Sequence, residues 1–174
     1  MDVIQAIQVR REITSFKDKP VPNELLESIL DAGYLAPSGN NLPSRELVLV
    51  TNKERLDTLE KTTPYMEWLK ESSAAIVITG RPDVSKYWIQ DGSISSAFMW
   101  LRATELEVGV GFGAVFNFED SKDSAEREQW VRNVLNIPED RRILAILGIG
   151  YAEIKPKAKN LPPREEIIHY ETIK

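Results

Sequence analysis

Apolar positions recur along this chain with two different periods, and the switch between them divides it into elements. Val3, Ile4, Ala6 and Ile7 form a short amphipathic run that predicts a helix at the N-terminus. Pro20 and Pro22 break the chain, and Asn23 is suited to cap a second helix. Leu25, Leu26, Ile29 and Leu30 give that helix one apolar stripe, and Pro37 disfavours the helical basin at Ala36, which ends it. "SGNNLPS" reads as loop, and "ELVLVT" (46–51) and "AAIVITG" (74–80) read as strands. Helical spacing returns at Ile94, Ala97, Phe98 and Leu101, and this helix should stop near Gly109. "AEREQWVRNVLNIP" predicts a further helix halted by Pro138, and "RILAILGIGY" (142–151) a buried strand. The tail, "KPKAKNLPPREEIIHYE", is extended, first basic and proline-rich and then apolar and acidic. Few strands scattered among helices point to an α+β domain, a small central sheet flanked by helices, spanning 1–174 as one unit.

Composition narrows the chemistry. At 174 residues with 42% hydrophobic positions the chain can bury a core, and a net charge of −5 argues against a general nucleic-acid binder. There is no cysteine, which excludes disulfides, thiol catalysis, iron–sulfur clusters and cysteine zinc sites. The single histidine, His169, cannot build a histidine-rich metal centre, so no metal is expected. No apolar run is long enough to cross a membrane, and "MDVIQAIQVRRE" lacks the pattern of a secretory signal. The expected compartment is cytoplasmic.

Four segments could carry chemistry. Arg10 and Arg11 either solvate a helix end or clamp an anion with paired guanidinium donors. In "APSGNNLPSREL" (36–47), Ser38, Asn40 and Asn41 offer hydroxyl and amide groups, although the same residues build ordinary turns. "GVGFGAV" (109–115) lacks the spacing and the preceding strand of a dinucleotide fingerprint and reads as a structural turn, one whose glycines would let backbone lie against a flat ligand. "KPKAKN" (155–160) is solvated surface, or Lys157 and Lys159 face a phosphate.

The order of these segments is more specific than any one of them. "RRxIxxF", then "APSxxN", a helix running into a glycine segment, a strand ending in "GY" and the "KPK…PP" tail together resemble the FMN-dependent nitroreductase family over nearly the whole chain. The resemblance implies a nitroreductase-like α+β fold and a homodimer with FMN at the subunit interface. It also implies a C-terminal tail exchanged with the partner subunit. NAD(P)H would reduce the flavin, and electrons would pass by a ping-pong route to a nitroaromatic, quinone or similar small acceptor. A non-catalytic flavin or nucleotide carrier, or a specialised reductive member of the superfamily, is the alternative.

Carried over position by position, the resemblance implies cofactor contacts at Arg10, Arg11, Glu12, Thr14, Pro37, Ser38, Gly39, Asn41, Gly113, Ala114, Val115, Phe116, Lys157 and Lys159. Tyr65, Trp68 and Phe112 are the implied substrate walls, and no side chain is assigned as a catalytic acid or base because the flavin carries the chemistry. This chain departs from the family pattern where Glu12 replaces a usual serine and Thr14 a usual base. It departs again at Pro43, Arg45 and Leu161, where glutamine, tryptophan and arginine are common.

Overall fold

The computed structural model describes residues 1–154 and 156–173. Nine regular elements follow in the order α1 (Val3–Val9), α2 (Asn23–Tyr34), β1 (Arg45–Val50), α3 (Lys53–Leu59), β2 (Ala74–Gly80), α4 (Trp88–Glu105), β3 (Gly109–Ala114), α5 (Ser121–Leu135) and β4 (Arg142–Gly150). The four strands form one antiparallel sheet in the order β1-β2-β4-β3. Helices α2 and α4 cover one face through Leu26, Ile29, Met99 and Ala103, which pack on Ile76, Ile78, Leu147 and Ile149. Helices α3 and α5 cover the other through Leu56, Leu59 and Val131, which pack on Ala75, Val77 and Ile146. The central strands β2 and β4 are therefore buried on both faces, which is why both read as unbroken apolar runs. The described tail residues, 156–173, are exposed, with one short helical turn at Arg164–Glu166.

Local chemistry sets the element ends. Asp2 and Gln5 cap α1 reciprocally, Asp2 accepting the Gln5 N–H at 2.8 Å and Gln5 accepting the Asp2 N–H at 3.0 Å. Asp120 caps α5 through the N–H groups of Lys122 and Asp123, and Asn136 ends it in the left-handed conformation. Helix α2 stops at Tyr34, and Pro22 rather than Asn23 occupies its N-cap.

The structure changes one reading of the sequence here and adds two things that the apolar pattern did not give. "GVGFGAV" is not a turn: Gly109–Ala114 is the edge strand β3, paired residue for residue with β4. Its glycines answer to close packing, since the Trp68 ring lies over Gly111 and its cross-strand partner Gly148, where added Cβ atoms would meet it at 2.7 and 2.4 Å. Helix α3 is a further element, one that the apolar pattern did not single out. Most informative is α4, whose apolar stripe faces outward. Ile94 and Phe98 are 38% and 42% exposed, while the buried face holds Gly92, Ser95, Ser96, Met99 and Ala103. Helix α1 behaves likewise, burying only Ala6 and leaving Val3, Ile4 and Ile7 exposed.

Candidate functional site

Beside the sheet, residues 10–17 run as an irregular strip past the open edge of β3 and the end of β4. The Ile13 N–H donates to the Val110 carbonyl at 2.9 Å, Lys17 N–H to the Tyr151 carbonyl at 2.8 Å, and Glu153 N–H to the Ser15 carbonyl at 3.0 Å. Ile13 and Phe16 are buried anchors, seated against Gly109 and Gly150. The alternation of apolar anchors with polar residues leaves Glu12 and Thr14 exposed.

Arg10 and Arg11 sit where this strip meets α4. The Arg10 guanidinium lies 4.7 Å from the centre of the Trp100 ring, and Trp100 stacks on Phe112 at 6.2 Å with a 6° interplanar angle. The Trp100 indole N–H donates to the Arg11 carbonyl at 3.2 Å, which locks strip to helix. Arg11 donates to the carbonyls of Gln8 at 2.8 Å, Arg10 at 2.7 Å and Lys157 at 3.0 Å. That last bond brings the basic tail to the arginine pair. Among the described residues neither Arg10 nor Arg11, nor Lys157 or Lys159, forms an ion pair with a carboxylate. In a chain of net charge −5, the arginine pair is therefore a local positive charge with no carboxylate partner among the described residues.

The β3 edge adds backbone donors. The Phe112 N–H points away from β4 and meets Glu12 Oε1 at 3.4 Å, and the Val110 carbonyl points the same way. By the alternation of an antiparallel pair, Ala114 turns its N–H to this same edge. Of the implied stretch from Gly113 to Phe116, Ala114 alone is exposed. Gly113 is buried beneath Met66, Val115 is fully buried, and Phe116 packs edge-on against Trp88 with ring centres 5.2 Å apart.

Other implied residues lie elsewhere. Pro37, Ser38, Gly39 and Asn41 belong to the loop joining α2 to β1, which is fixed to the opposite end of α4: Gly39 N–H donates to Asp91 at 2.8 Å. Asp91 and Trp100 are nine residues apart, about 13 Å of helical rise. Tyr65 is exposed. Trp68 does not join Phe112. Its ring packs on the other face of the sheet, beside Phe16, and its indole N–H is bonded to the Tyr65 carbonyl at 2.9 Å. Sequence reasoning passed over Trp100, Asp91 and Ser44, all of which hold implied site segments in place. None of the three left a local signal: Asp91 is one of three charged residues on α4, with Arg102 and Glu105, and only its contacts set it apart.

The described residues contain no cluster of three or more histidine, aspartate or glutamate side chains able to hold a metal, and no helix long and apolar enough to cross a membrane.

These features are shared with known proteins. The model of the nitroreductase family matches residues 7–71, the stretch that holds both the arginine strip and the α2–β1 loop. A protein of Methanothermobacter thermautotrophicus, provisionally named an NADH dehydrogenase/NAD(P)H nitroreductase, is 31% identical over 164 residues, 92% of this chain and 83% of its own. The FMN reductase [NAD(P)H] of Bacillus subtilis is 22% identical over 98% of this chain and 74% of its own. Among solved structures, an FMN-dependent nitroreductase of Clostridium difficile superimposes with a TM-score of 0.89 at 31% identity, covering 98% of this chain and 99% of that one. With sequence and fold in agreement over nearly their full lengths, the chain belongs to the nitroreductase family.

Proposed function

We propose that the chain is an FMN-dependent NAD(P)H oxidoreductase that works as a homodimer and delivers electrons to a nitroaromatic, quinone or similar small acceptor by a ping-pong route. The observation that carries this reading is the arginine pair without carboxylate partners, held at the open edge of β3. The residues present fit FMN. An anionic phosphate suits Arg10 and Arg11 with Lys157 and Lys159 nearby, and a heteroaromatic edge suits the outward N–H of Ala114. FMN, when bound, supplies the two-electron chemistry between nicotinamide and acceptor.

The protein's own part is positional and electrostatic. Arg10, stacked on Trp100, keeps its charge without a neutralising partner and so favours a negative ligand beside it. The Trp100–Phe112 stack makes a flat apolar wall behind that charge. Arg11 ties the strip to the backbone of the tail at Lys157 and so brings the start of the basic segment to the arginine pair. No side chain is needed as a proton donor.

The homodimer is supported by two placements. The apolar stripes of α1 and α4 are exposed together, as are Ile167, Ile168, Tyr170 and Ile173 of the tail, and a second copy of the chain would cover them. The α2–β1 loop and the arginine strip lie at opposite ends of α4, so a site drawing on both is naturally completed across a two-fold interface. Sedimentation of the full chain beside one ending at Tyr151 checks this: the full chain should be a dimer at micromolar concentration, and a monomer would refute it.

The purified protein should show flavin absorption, oxidise NAD(P)H when a quinone is supplied, and keep that activity after chelator treatment and desalting. Absence of NAD(P)H turnover with flavin bound would support the carrier reading instead.

A further inference from the structure

The loop between Ala36 and Ser44 is held by charge rather than by hydrophobic burial. No residue from Pro37 to Pro43 is buried, so the loop owes its shape to polar contacts. Asp91, 3% exposed in the first turn of α4, accepts the Gly39 N–H at 2.8 Å and the Ser44 hydroxyl proton. From the other side Arg45 donates to the carbonyls of Gly33, Tyr34 and Ala36, closing the C-terminal end of α2. Burial pulls the Arg45 guanidinium below its ordinary range, and the nearby Asp91 charge opposes that pull. Ser38 donates to the Leu42 carbonyl at 2.8 Å, Asn40 and Asn41 adopt left-handed φ values of 54° and 56°, and a Cβ on Gly39 would lie 2.6 Å from the Tyr87 ring. The loop therefore has one shape, and Asp91 is its buried fixed point.

We propose that Asp91 is a positioning residue for cofactor binding, holding Ser38 and Asn41 in the geometry that meets the flavin, with Arg45 as the opposing clamp. This rests on the FMN reading above. A buried carboxylate is costly unless its acceptors are filled. Here the bonds that fill them come from the loop and from Ser44, where the loop joins β1, so loss of the carboxylate releases the loop before it disturbs either apolar core.

The test combines FMN titration with amide hydrogen exchange on Asp91→Asn, Ser38→Ala and the double variant. Asp91→Asn should weaken FMN binding about tenfold and speed exchange of the Gly39–Leu42 amides by a similar factor, while the amides of β2 and β4 keep their protection. Ser38→Ala should weaken binding in the parent but cost less than about twofold once Asp91 is changed, because the loop is already released. Multiplying effects of the two substitutions, or unchanged loop exchange in Asp91→Asn, would overturn the proposal. If Asp91→Asn does not fold, Ser44→Ala removes one of the two bonds and should give a smaller effect in the same direction. No change in loop exchange or affinity there would equally overturn it. If the parent itself binds no FMN, the flavin reading fails, and the exchange data alone decide whether Asp91 fixes the loop.

Discussion

Two arginine sites on this molecule share an aromatic platform and differ in what else the guanidinium meets. Arg142 lies over Phe116 at 4.9 Å and Trp88 at 5.7 Å, as Arg10 lies over Trp100 at 4.7 Å. Arg142 also grips Glu128 through two bonds of 2.8 and 2.7 Å, and Glu128 accepts the Ile143 N–H and the Ser124 hydroxyl, each at 3.0 Å. That cluster is closed: its charge is neutralised, and its function is to fasten α5 to β4. At Arg10 the aromatic platform is present and the carboxylate is not. Stacking on a ring orients a guanidinium without cancelling its charge, so Arg10 remains available to an anion. The aromatic partner is common to both sites, and the presence or absence of a carboxylate is what separates a neutralised structural arginine from one left free to meet an anion.

The largest effect should come from opening the closed cluster. Glu128 is 3% exposed, and Glu128→Ala strands Arg142 and the Ile143 N–H, so urea unfolding should show a loss of about 3 kcal/mol. FMN affinity per folded molecule should not change. A fall in affinity with stability intact would reverse the two assignments.

Acid should reach the same cluster next. Burial pushes the Glu128 carboxyl up, but the Arg142 bonds and the Ile143 N–H outweigh it, and the group ends below its ordinary range. A carboxyl depressed in the folded state contributes stability above its unfolded value, and that contribution is lost as pH falls through the folded value. Stability measured from neutral pH downward should therefore drop below the ordinary carboxylate range, at about pH 4 and under. In Glu128→Gln the part of this slope that belongs to Glu128 should vanish.

The smallest of these effects sharpens the open site. Thr14 and Leu161 are both exposed, and both stand where the family commonly has a cation. Thr14→Arg or Leu161→Arg should tighten FMN binding by about 1 kcal/mol, and affinity in the parent should fall as salt rises. Stoichiometric binding at nanomolar FMN in the parent, unimproved by either arginine, would show that the existing cations suffice.

The apolar pattern located the elements better than it located their faces. Strands β2 and β4 were legible because burial on both sides leaves an unbroken apolar run, and α5 because Pro138 stops it. Strand β3 was hidden by its glycines, whose close neighbours, Ile13 at Gly109, Trp68 at Gly111 and Met66 at Gly113, all lie more than forty residues earlier in the sequence. The stripes of α1 and α4 located helices but not their buried faces, because periodicity reports that a face is apolar, not what covers it. Of the site, the arginine pair and the polar loop were visible as motifs. Their supports, Trp100 and Asp91, were not, because each acts through a contact that no local spacing encodes.

The account turns on Arg10 and Arg11 holding the phosphate of FMN, and titration with FMN and with riboflavin, which lacks the phosphate, tests this directly. The parent should prefer FMN by about two orders of magnitude, the worth of two charge-assisted contacts. In the Arg10→Ala/Arg11→Ala variant, FMN affinity should fall to that of riboflavin, while riboflavin affinity and the unfolding midpoint of the apo-protein stay where they were. A double variant that still prefers FMN by the same margin would contradict the account and move the phosphate to other cations.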